Sequence, residues 1–290
     1  QRLTTIKDFM DNKFPLKGLQ YLKDSCNGRY YSEKNKDGSP NGKKGIDANN
    51  FRWFNMTQFS VNVIDPTSPA KVKYDIFRRI NTGGKPLNNQ EIRNCLATKP
   101  LRETLNQMVN LPEFKSATDG SIKSTRMDDQ EIALRFILFS KLFNDDPTLS
   151  IYSGYMDTSL DDITENLNKI SETEKEYWVT SFSRGMRNAE YVFGRKHAFR
   201  KIMIKDLEPN SYKQLLNKAL FVCCSVLLSK YDPIEIQEKN PHLALLYHLA
   251  KKIGEDFRLL NYLSYGTNGK ANLQYAFGEI EKLIEEHLKY

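Results

Sequence analysis

Residues 74–94 have the sequence YDIFRRINTGGKPLNNQEIRN, in which two glycines separate two segments with helical patterns. Its pattern predicts a basic helix that ends at Gly83-Gly84 and a second helix that begins near Asn88. Asn88 and Glu91 have the spacing of a capping pair, in which each side chain accepts a hydrogen bond from the other residue's backbone N–H. Two helices joined by so short a glycine-bearing segment indicate either a tight helix–helix turn or a pocket for a phosphate.

The phosphate interpretation rests on the two glycines. Because glycine tolerates positive φ, the backbone N–H groups around Gly83 and Gly84 can form a concave nest for an anion. The following helix N-terminus favours negative charge, and Arg79, Lys85 and Arg93 would add charge-assisted hydrogen bonds to phosphate oxygens. In the alternative, Gly83 is a helix C-cap, Gly84 is a turn glycine and the arginines are solvated. Local chemistry alone favours the turn, and the spacing is not that of a P-loop.

The chain upstream of this stretch has a mixed pattern. Residues 3–12 predict a helix, and residues 32–50, rich in Gly, Pro, Asn and Lys, predict a mobile surface loop. Phe59, Val61 and Val63 alternate with polar residues, which is typical of a half-buried strand.

Downstream, the pattern becomes almost entirely helical. Helices are predicted over residues 100–110, 128–144, 159–169, 172–193, 195–204, 211–230, 240–252, 255–263 and 271–289. Asp128 and Glu131 have capping-box spacing, and the helix that follows them is apolar all round and therefore buried. The composition changes near residue 97, which predicts a mixed domain over 1–97 and an all-helical domain over 98–290. The fold class is thus α+β, predominantly helical.

A second group of candidate residues lies between residues 184 and 201. Basic residues alternate there with Tyr191, Phe193 and Phe199, a combination that suits a nucleic-acid surface. The candidate DNA contacts are Arg184, Arg187, Arg195, Lys196, Arg200 and Lys201. In the alternative, the aromatic residues belong to the core and the cations are solvated. The formal net charge of +7 favours an acidic partner, although 43 basic residues stand against 36 acidic ones.

Several kinds of site have no support in the sequence. The four cysteines and four histidines fit no zinc or redox pattern, and no Gly-x-Ser-x-Gly elbow occurs. The paired acids Asp128-Asp129 and Asp161-Asp162 lie at predicted helix starts, where carboxylates favour the helix dipole. We therefore predict no metal site. Unpaired thiols suit the reducing cytoplasm, and neither a membrane span nor a secretion signal is predicted. The chain begins at Gln1 inside a structured pattern, so we expect an upstream segment.

Two motifs together resemble a known family. Gln1-Arg2-Leu3-Thr4-Thr5 is similar to the end of an Asp-Gly-Gln-Gln-Arg-Leu-Thr-Thr motif in the N-terminal GmrS-type domain of GmrSD restriction endonucleases. Residues 79–84, RINTGG, followed by Glu91-Ile92-Arg93, are similar to that family's second motif. Residues 127–139 and 192–200 resemble its helical half more loosely, so the likeness extends over most of the chain.

The resemblance implies a ParB/sulfiredoxin-like α+β core followed by a helical bundle. It also implies nucleotide hydrolysis in a system that restricts foreign DNA, with a nucleoside triphosphate and Mg²⁺ as cofactors. Gln1 and Arg2 would be catalytic, and Arg79, Asn81, Thr82, Gly83, Gly84 and Arg93 would bind the phosphates. Expected partners are DNA and either a nuclease chain or a second copy, without a membrane.

Two departures from the family pattern leave alternatives open. The Asp, Gly and first Gln of the first motif are absent, and so is the HNH-type nuclease half that members often carry. The chain would then be either a nucleotide-hydrolysing subunit or a non-catalytic module that senses nucleotide or DNA and signals to a partner nuclease. A helical scaffold is the third possibility.

Overall fold

The computed structural model describes residues 2–61, 63–65, 67–80, 86–239 and 242–288. Its helices are α1 Arg2–Met10, α2 Lys23–Cys26, α3 Ala48–Met56, α4 Ala70–Ile80, α5 Asn89–Leu96, α6 Lys99–Asn110, α7 Pro112–Ala117, α8 Asp128–Asp145, α9 Met156–Leu167, α10 Glu172–His197, α11 Lys218–Leu228, α12 Pro233–Lys239, α13 His242–Glu255, α14 Phe257–Tyr262 and α15 Lys270–Leu288. Two 3₁₀ turns cover Thr125–Met127 and Ile204–Leu207. The chain divides into two compact units, Gln1–Asp65 and Pro66–Tyr290. The boundary after residue 97 stays a prediction.

The first unit consists of short helices and irregular segments around a cluster of aromatic rings. Phe9 lies at its centre, with ring centroids 5.9 Å from Phe14, 5.8 Å from Tyr31 and 5.6 Å from Phe54. Asp47 caps α3 by accepting hydrogen bonds from the backbone N–H groups of the first helical turn. Phe9 and Cys26 are the two buried hydrophobic side chains among its described residues, so its core is thin.

The second unit has a core of packed helices. The apolar sequence of α11 predicts complete burial, and every residue from Ala219 to Leu228 is buried. Helix α10 crosses α11 at Gly185, where an added Cβ would lie 2.5 Å from the backbone oxygen of Ser225. The glycine therefore permits the close approach of the two helices. Asn188 then satisfies the last carbonyl of α11 by donating to Leu228 O over 2.8 Å.

The helical part of the fold prediction is confirmed, since 63% of the chain is helical. The ParB/sulfiredoxin-like core is not confirmed. Among the described residues the β pairing is limited to isolated bridges, of which Tyr30 with Gly45 and Lys34 with Pro40 lie in the first unit. The strand predicted at Phe59–Val63 is wrong for its described residues, because Val61 and Val63 are 75% and 83% exposed and pair with no neighbouring strand.

Two details of the helical prediction are also corrected. Asp128 and Glu131 form no capping box; both carboxylates accept hydrogen bonds from Lys218 Nζ, over 2.7 and 3.2 Å. The helix predicted over 195–204 does not form, because Gly194 has a non-helical backbone (φ 69°, ψ 158°) and α10 ends at His197. A long-range bridge between Arg200 and Leu216 follows instead.

Candidate functional site around the RINTGG segment

The predicted phosphate pocket lies partly outside the described residues. Gln1 and Asn81, Thr82, Gly83, Gly84 and Lys85 are not described, and neither is the side chain of Arg2, the first residue of α1. Arg79 lies in the last turn of α4 and is exposed. Of the pocket residues with a described side chain, Arg79 is therefore the one that is open to an incoming phosphate.

The chain that leaves the segment is held firmly at Pro86 and Asn88. Arg126 Nη2 donates to Pro86 O over 2.5 Å, and Asn88 Nδ2 donates to Arg126 O over 2.9 Å. Arg126 has left-handed backbone geometry (φ 62°), which is unfavourable for a residue with a side chain. Its contacts with residues 86–88 offset this strain and fix the point where the segment enters α5.

The predicted capping pair is confirmed. Asn88 Oδ1 accepts from Glu91 N, and Glu91 Oε2 accepts from Asn88 N, each over 2.8 Å. The Glu91 carboxylate also binds Arg126 Nη2 at 2.8 Å. A resident carboxylate already neutralises the positive end of α5. The start of this helix is thus less favourable for a phosphate than the sequence suggested.

Arg93 has a role different from the predicted one. Its Nε donates to Asp161 Oδ1 over 2.8 Å, and its Nη2 donates to Asp157 Oδ1 over 2.5 Å. Nη1 donates to Gln90 Oε1 over 3.3 Å, and the side chain is 1% exposed. A guanidinium with these partners joins α5 to α9 and does not face a bound phosphate. Asp161 lies inside α9, which begins at Met156, and not at the helix start that its sequence context predicted.

Tyr74, in α4, is close enough to this network for its charges to influence the hydroxyl. Its side chain is buried, and burial followed by the nearby charge of Asp161 raises the pKa of Tyr74 to about 12. The hydroxyl thus stays neutral, and it does not serve as a general base at physiological pH.

The basic residues of 184–201 do not form one continuous charged face. Arg187 and Arg195 are exposed, but Arg187 Nη2 lies 2.6 Å from Glu113 Oε1, and Arg195 Nε lies 3.3 Å from Glu190 Oε1. Arg184 lines a cavity between α8, α10 and α11. An acidic neighbour at each exposed arginine reduces the local positive potential, so the cluster is a weaker DNA surface than its sequence indicates.

The last three members of the cluster, Lys196, Arg200 and Lys201, make hydrogen bonds within the protein. Arg200 is fully buried, and its guanidinium donates to Gln214 O over 2.9 Å and to Thr118 O over 3.1 Å, so it cannot reach DNA. Lys196 Nζ donates to Ser211 Oγ over 3.0 Å, and Lys201 Nζ donates to Ser264 Oγ over 2.7 Å. These contacts order the segment that follows α10. The partners are far away in the sequence, so no local pattern could have identified them.

Two features are absent from the described ranges. No group of three or more His, Cys, Asp or Glu side chains converges there in a way that would hold a metal ion. None of the helices in those ranges is long and apolar enough to cross a bilayer.

Comparison with known proteins gives one match. Residues 1–98, a part of the chain that contains both motifs, match the family described as GmrSD restriction endonuclease, N-terminal domain. No curated protein and no solved structure matches the chain. The match covers 98 of 290 residues.

Proposed function

We propose, from the premise that residues 1–98 are a GmrSD-type N-terminal domain, that the chain is a nucleotide-hydrolysing subunit of a DNA restriction system. The phosphates would be bound by Arg79 and by the backbone of residues 81–84. Gln1 and Arg2 would be catalytic, as the resemblance to the family implies. The observation that carries the proposal is that the matched range includes both the Gln1-Arg2 motif and the RINTGG segment.

The described geometry supports one part of this pocket. Arg79 is exposed at the end of α4, and Arg126 fixes the other end of the segment at Pro86. Fixing Pro86 would reduce the conformational entropy that the preceding segment loses when it binds a ligand. Arg93 contributes as a positioning residue, because it anchors α5 to Asp157 and Asp161.

The nucleotide would bring its metal with it. The described residues provide no cluster of metal ligands, and Mg²⁺ commonly binds through substrate phosphates with only one or two protein carboxylates. The exposed arginine and the glycine nest would bind the triphosphate, whose remaining charge Mg²⁺ would offset.

Arg79→Ala tests this proposal. With nucleoside triphosphates and Mg²⁺, we expect turnover by the intact protein to fall about 100- to 1,000-fold, the usual effect of losing one charge-stabilising donor. The melting temperature is expected to stay unchanged, because the side chain is exposed. Arg52→Ala, at an exposed arginine in α3, is the matched control and should keep full turnover.

Arg93→Ala provides the contrasting outcome. It removes the guanidinium that binds Asp157 and Asp161, so we expect a loss of roughly 2–3 kcal/mol of stability. If Arg79→Ala lowered the melting temperature as Arg93→Ala does, Arg79 would be structural. Unchanged turnover in Arg79→Ala would remove it from the pocket.

A non-catalytic sensing module is the second candidate, and the position of Glu91 favours it. A carboxylate fixed at the start of α5 opposes additional negative charge, which argues against strong stabilisation of a transition state there. The chain would then bind nucleotide or DNA and signal to a partner nuclease or to a second copy of itself. Saturable nucleotide binding with no turnover would establish this function.

DNA binding has its own test. We propose Arg187 and Arg195 as the contacts that the 184–201 cluster retains, and the affinity for duplex DNA should fall as salt rises, because phosphate contacts release counterions. The Arg187→Gln, Arg195→Gln double variant should reduce that salt dependence. Affinity that is undetectable at low salt would favour a scaffold. We place this activity in the cytoplasm, where the free cysteines remain reduced.

A further inference from the structure

A cavity of about 410 Å³ lies within the second unit, between α8, α10 and α11. It is distinct from the RINTGG segment, and its lining comes from one stripe of each helix. Ser140 belongs to α8, Trp178 and Arg184 belong to α10, and Lys230 follows the end of α11. Its volume is within the range of small-molecule sites in proteins. The size would accept a molecule up to that of a nucleotide.

Three of the lining residues each carry a buried polar atom that has no hydrogen-bond partner among the described residues. These atoms are Ser140 Oγ, Trp178 Nε1 and Arg184 Nε. Trp178 is 5% exposed and Ser140 is 6% exposed. A buried polar group without a partner costs about 1–3 kcal/mol, so such groups normally bind water or a ligand. Three of them on the lining residues of one cavity indicate a site with unfilled hydrogen-bonding capacity.

The charged residues on the cavity lining are basic, which favours an anionic ligand. Arg184 and Lys230 line the cavity, and its described lining residues include no Asp or Glu. The Lys230 ammonium lies 3.8 Å from the centre of the Phe143 ring, and desolvation lowers the pKa of Lys230. Glu281 and Glu285 oppose that change from α15. The Lys230 ammonium is therefore shared with Phe143 and with the two acids of α15, whereas Arg184 Nε has no partner among the described residues.

We propose that this cavity binds a small phosphorylated molecule, with its phosphate on Arg184, Trp178 and Ser140. Trp178 Nε1–H, Arg184 Nε–H and the Ser140 hydroxyl supply three donors for phosphate oxygens, and the guanidinium provides a charge-assisted hydrogen bond. Lys230 balances the second negative charge of a phosphate monoester. Tyr177, half-exposed on the lining, offers a ring face to a planar group such as a nucleobase.

The two tryptophans of the chain make the site directly observable. Trp53 is exposed in the first unit, and Trp178 lies in the cavity. In a Trp53→Phe protein, the tryptophan fluorescence comes from Trp178 alone. We expect saturable changes in that fluorescence with inorganic phosphate, pyrophosphate or AMP, and none with adenosine or chloride at matched ionic strength.

Variants then identify the binding groups. Arg184→Gln, made in the Trp53→Phe protein, is expected to weaken binding about 10- to 100-fold, the usual cost of losing a charged hydrogen bond. Arg187→Gln is the matched control, one turn along the same helix but paired with Glu113 outside the cavity, and it should bind like the parent. Arg79→Ala should also keep the Trp178 response, so failure here and failure of the proposed nucleotide pocket are distinguishable.

Two results would overturn the proposal. One is the absence of saturable change with all three phosphates up to about 10 mM, which would mean a cavity filled by water alone. The other is an equal loss in Arg187→Gln and Arg184→Gln, which would indicate general surface attraction. If Trp53→Phe fails to fold, ³¹P line broadening of inorganic phosphate by the unmodified chain, Arg184→Gln and Arg187→Gln decides between the same outcomes.

Discussion

The two units of this chain use their aromatic residues in different ways. In Gln1–Asp65, Phe9 is buried among rings that are themselves partly exposed, and long apolar side chains such as Trp53 and Val63 remain on the surface. In Pro66–Tyr290, Phe182 is fully buried between rings on other helices, with centroids 5.5 Å from Phe114 and 5.0 Å from Phe136. A ring contributes most to stability where a complete shell of neighbours excludes water. Core packing is therefore expected to stabilise the second unit more than the first. The family motifs nevertheless begin in the first unit.

The largest expected loss of stability comes from truncating a buried ring in the core of the second unit. Phe182→Ala should lower the unfolding free energy of the second unit by about 3–5 kcal/mol, because the helices around the ring cannot close the cavity. Phe9→Ala should lower only the denaturant midpoint of the first unit, which we expect to unfold in a separate transition at lower denaturant. Chemical denaturation with both variants checks this. Equal loss in one shared transition would mean that the two units unfold together.

The reaction rates of the cysteines compare how readily the two cores open, and this experiment needs no substitution in a core. Cys95 is exposed, Cys26 is buried in the first unit, and Cys223 and Cys224 are buried in α11, where desolvation raises the pKa of both thiols. With a thiol reagent and peptide mapping, Cys95 should react first. Cys26 should react about 100-fold faster than the α11 pair, because a thin core opens locally at lower cost. Reaction of Cys26 and Cys223 at one rate would contradict the proposed difference in stability.

The smallest expected stability changes come from replacing single glycines by alanine. Gly28, in the first unit, has φ +76° and open space around it, so its role is conformational, whereas Gly185 has the backbone of Ser225 against it. Gly185→Ala should cost about 1–3 kcal/mol through overpacking. Gly278→Ala, inside α15 with no atom near the new Cβ, should be neutral or stabilising by up to about 1 kcal/mol. Thermal unfolding measures both, and an equal cost at the two sites would show that backbone conformation, not helix contact, is decisive.

The sequence alone determined the features that depend on near neighbours. Periodic apolar residues placed most of the helices from α6 to α15 within a few residues of their observed bounds. The spacing of Asn88 and Glu91 identified a capping box that the structure contains. The two motifs also identified the family whose description matches residues 1–98. Hydrogen bonds and side-chain contacts within one or two helical turns follow from local order, so these predictions needed no knowledge of the fold.

Only the tertiary structure decided which charged residues remain open to a ligand. Arg93 and Arg200 were candidate ligand contacts like Arg79, but partners 68 and 82 residues away, Asp161 and Thr118, hold them inside the protein. Alternation at Phe59–Val63 indicated a strand, yet a strand forms only where a second one lies alongside. The phosphate cavity at Arg184 likewise exists because three helices meet there. Burial and pairing depend on contacts between distant segments, and these contacts leave no periodic signal in the sequence.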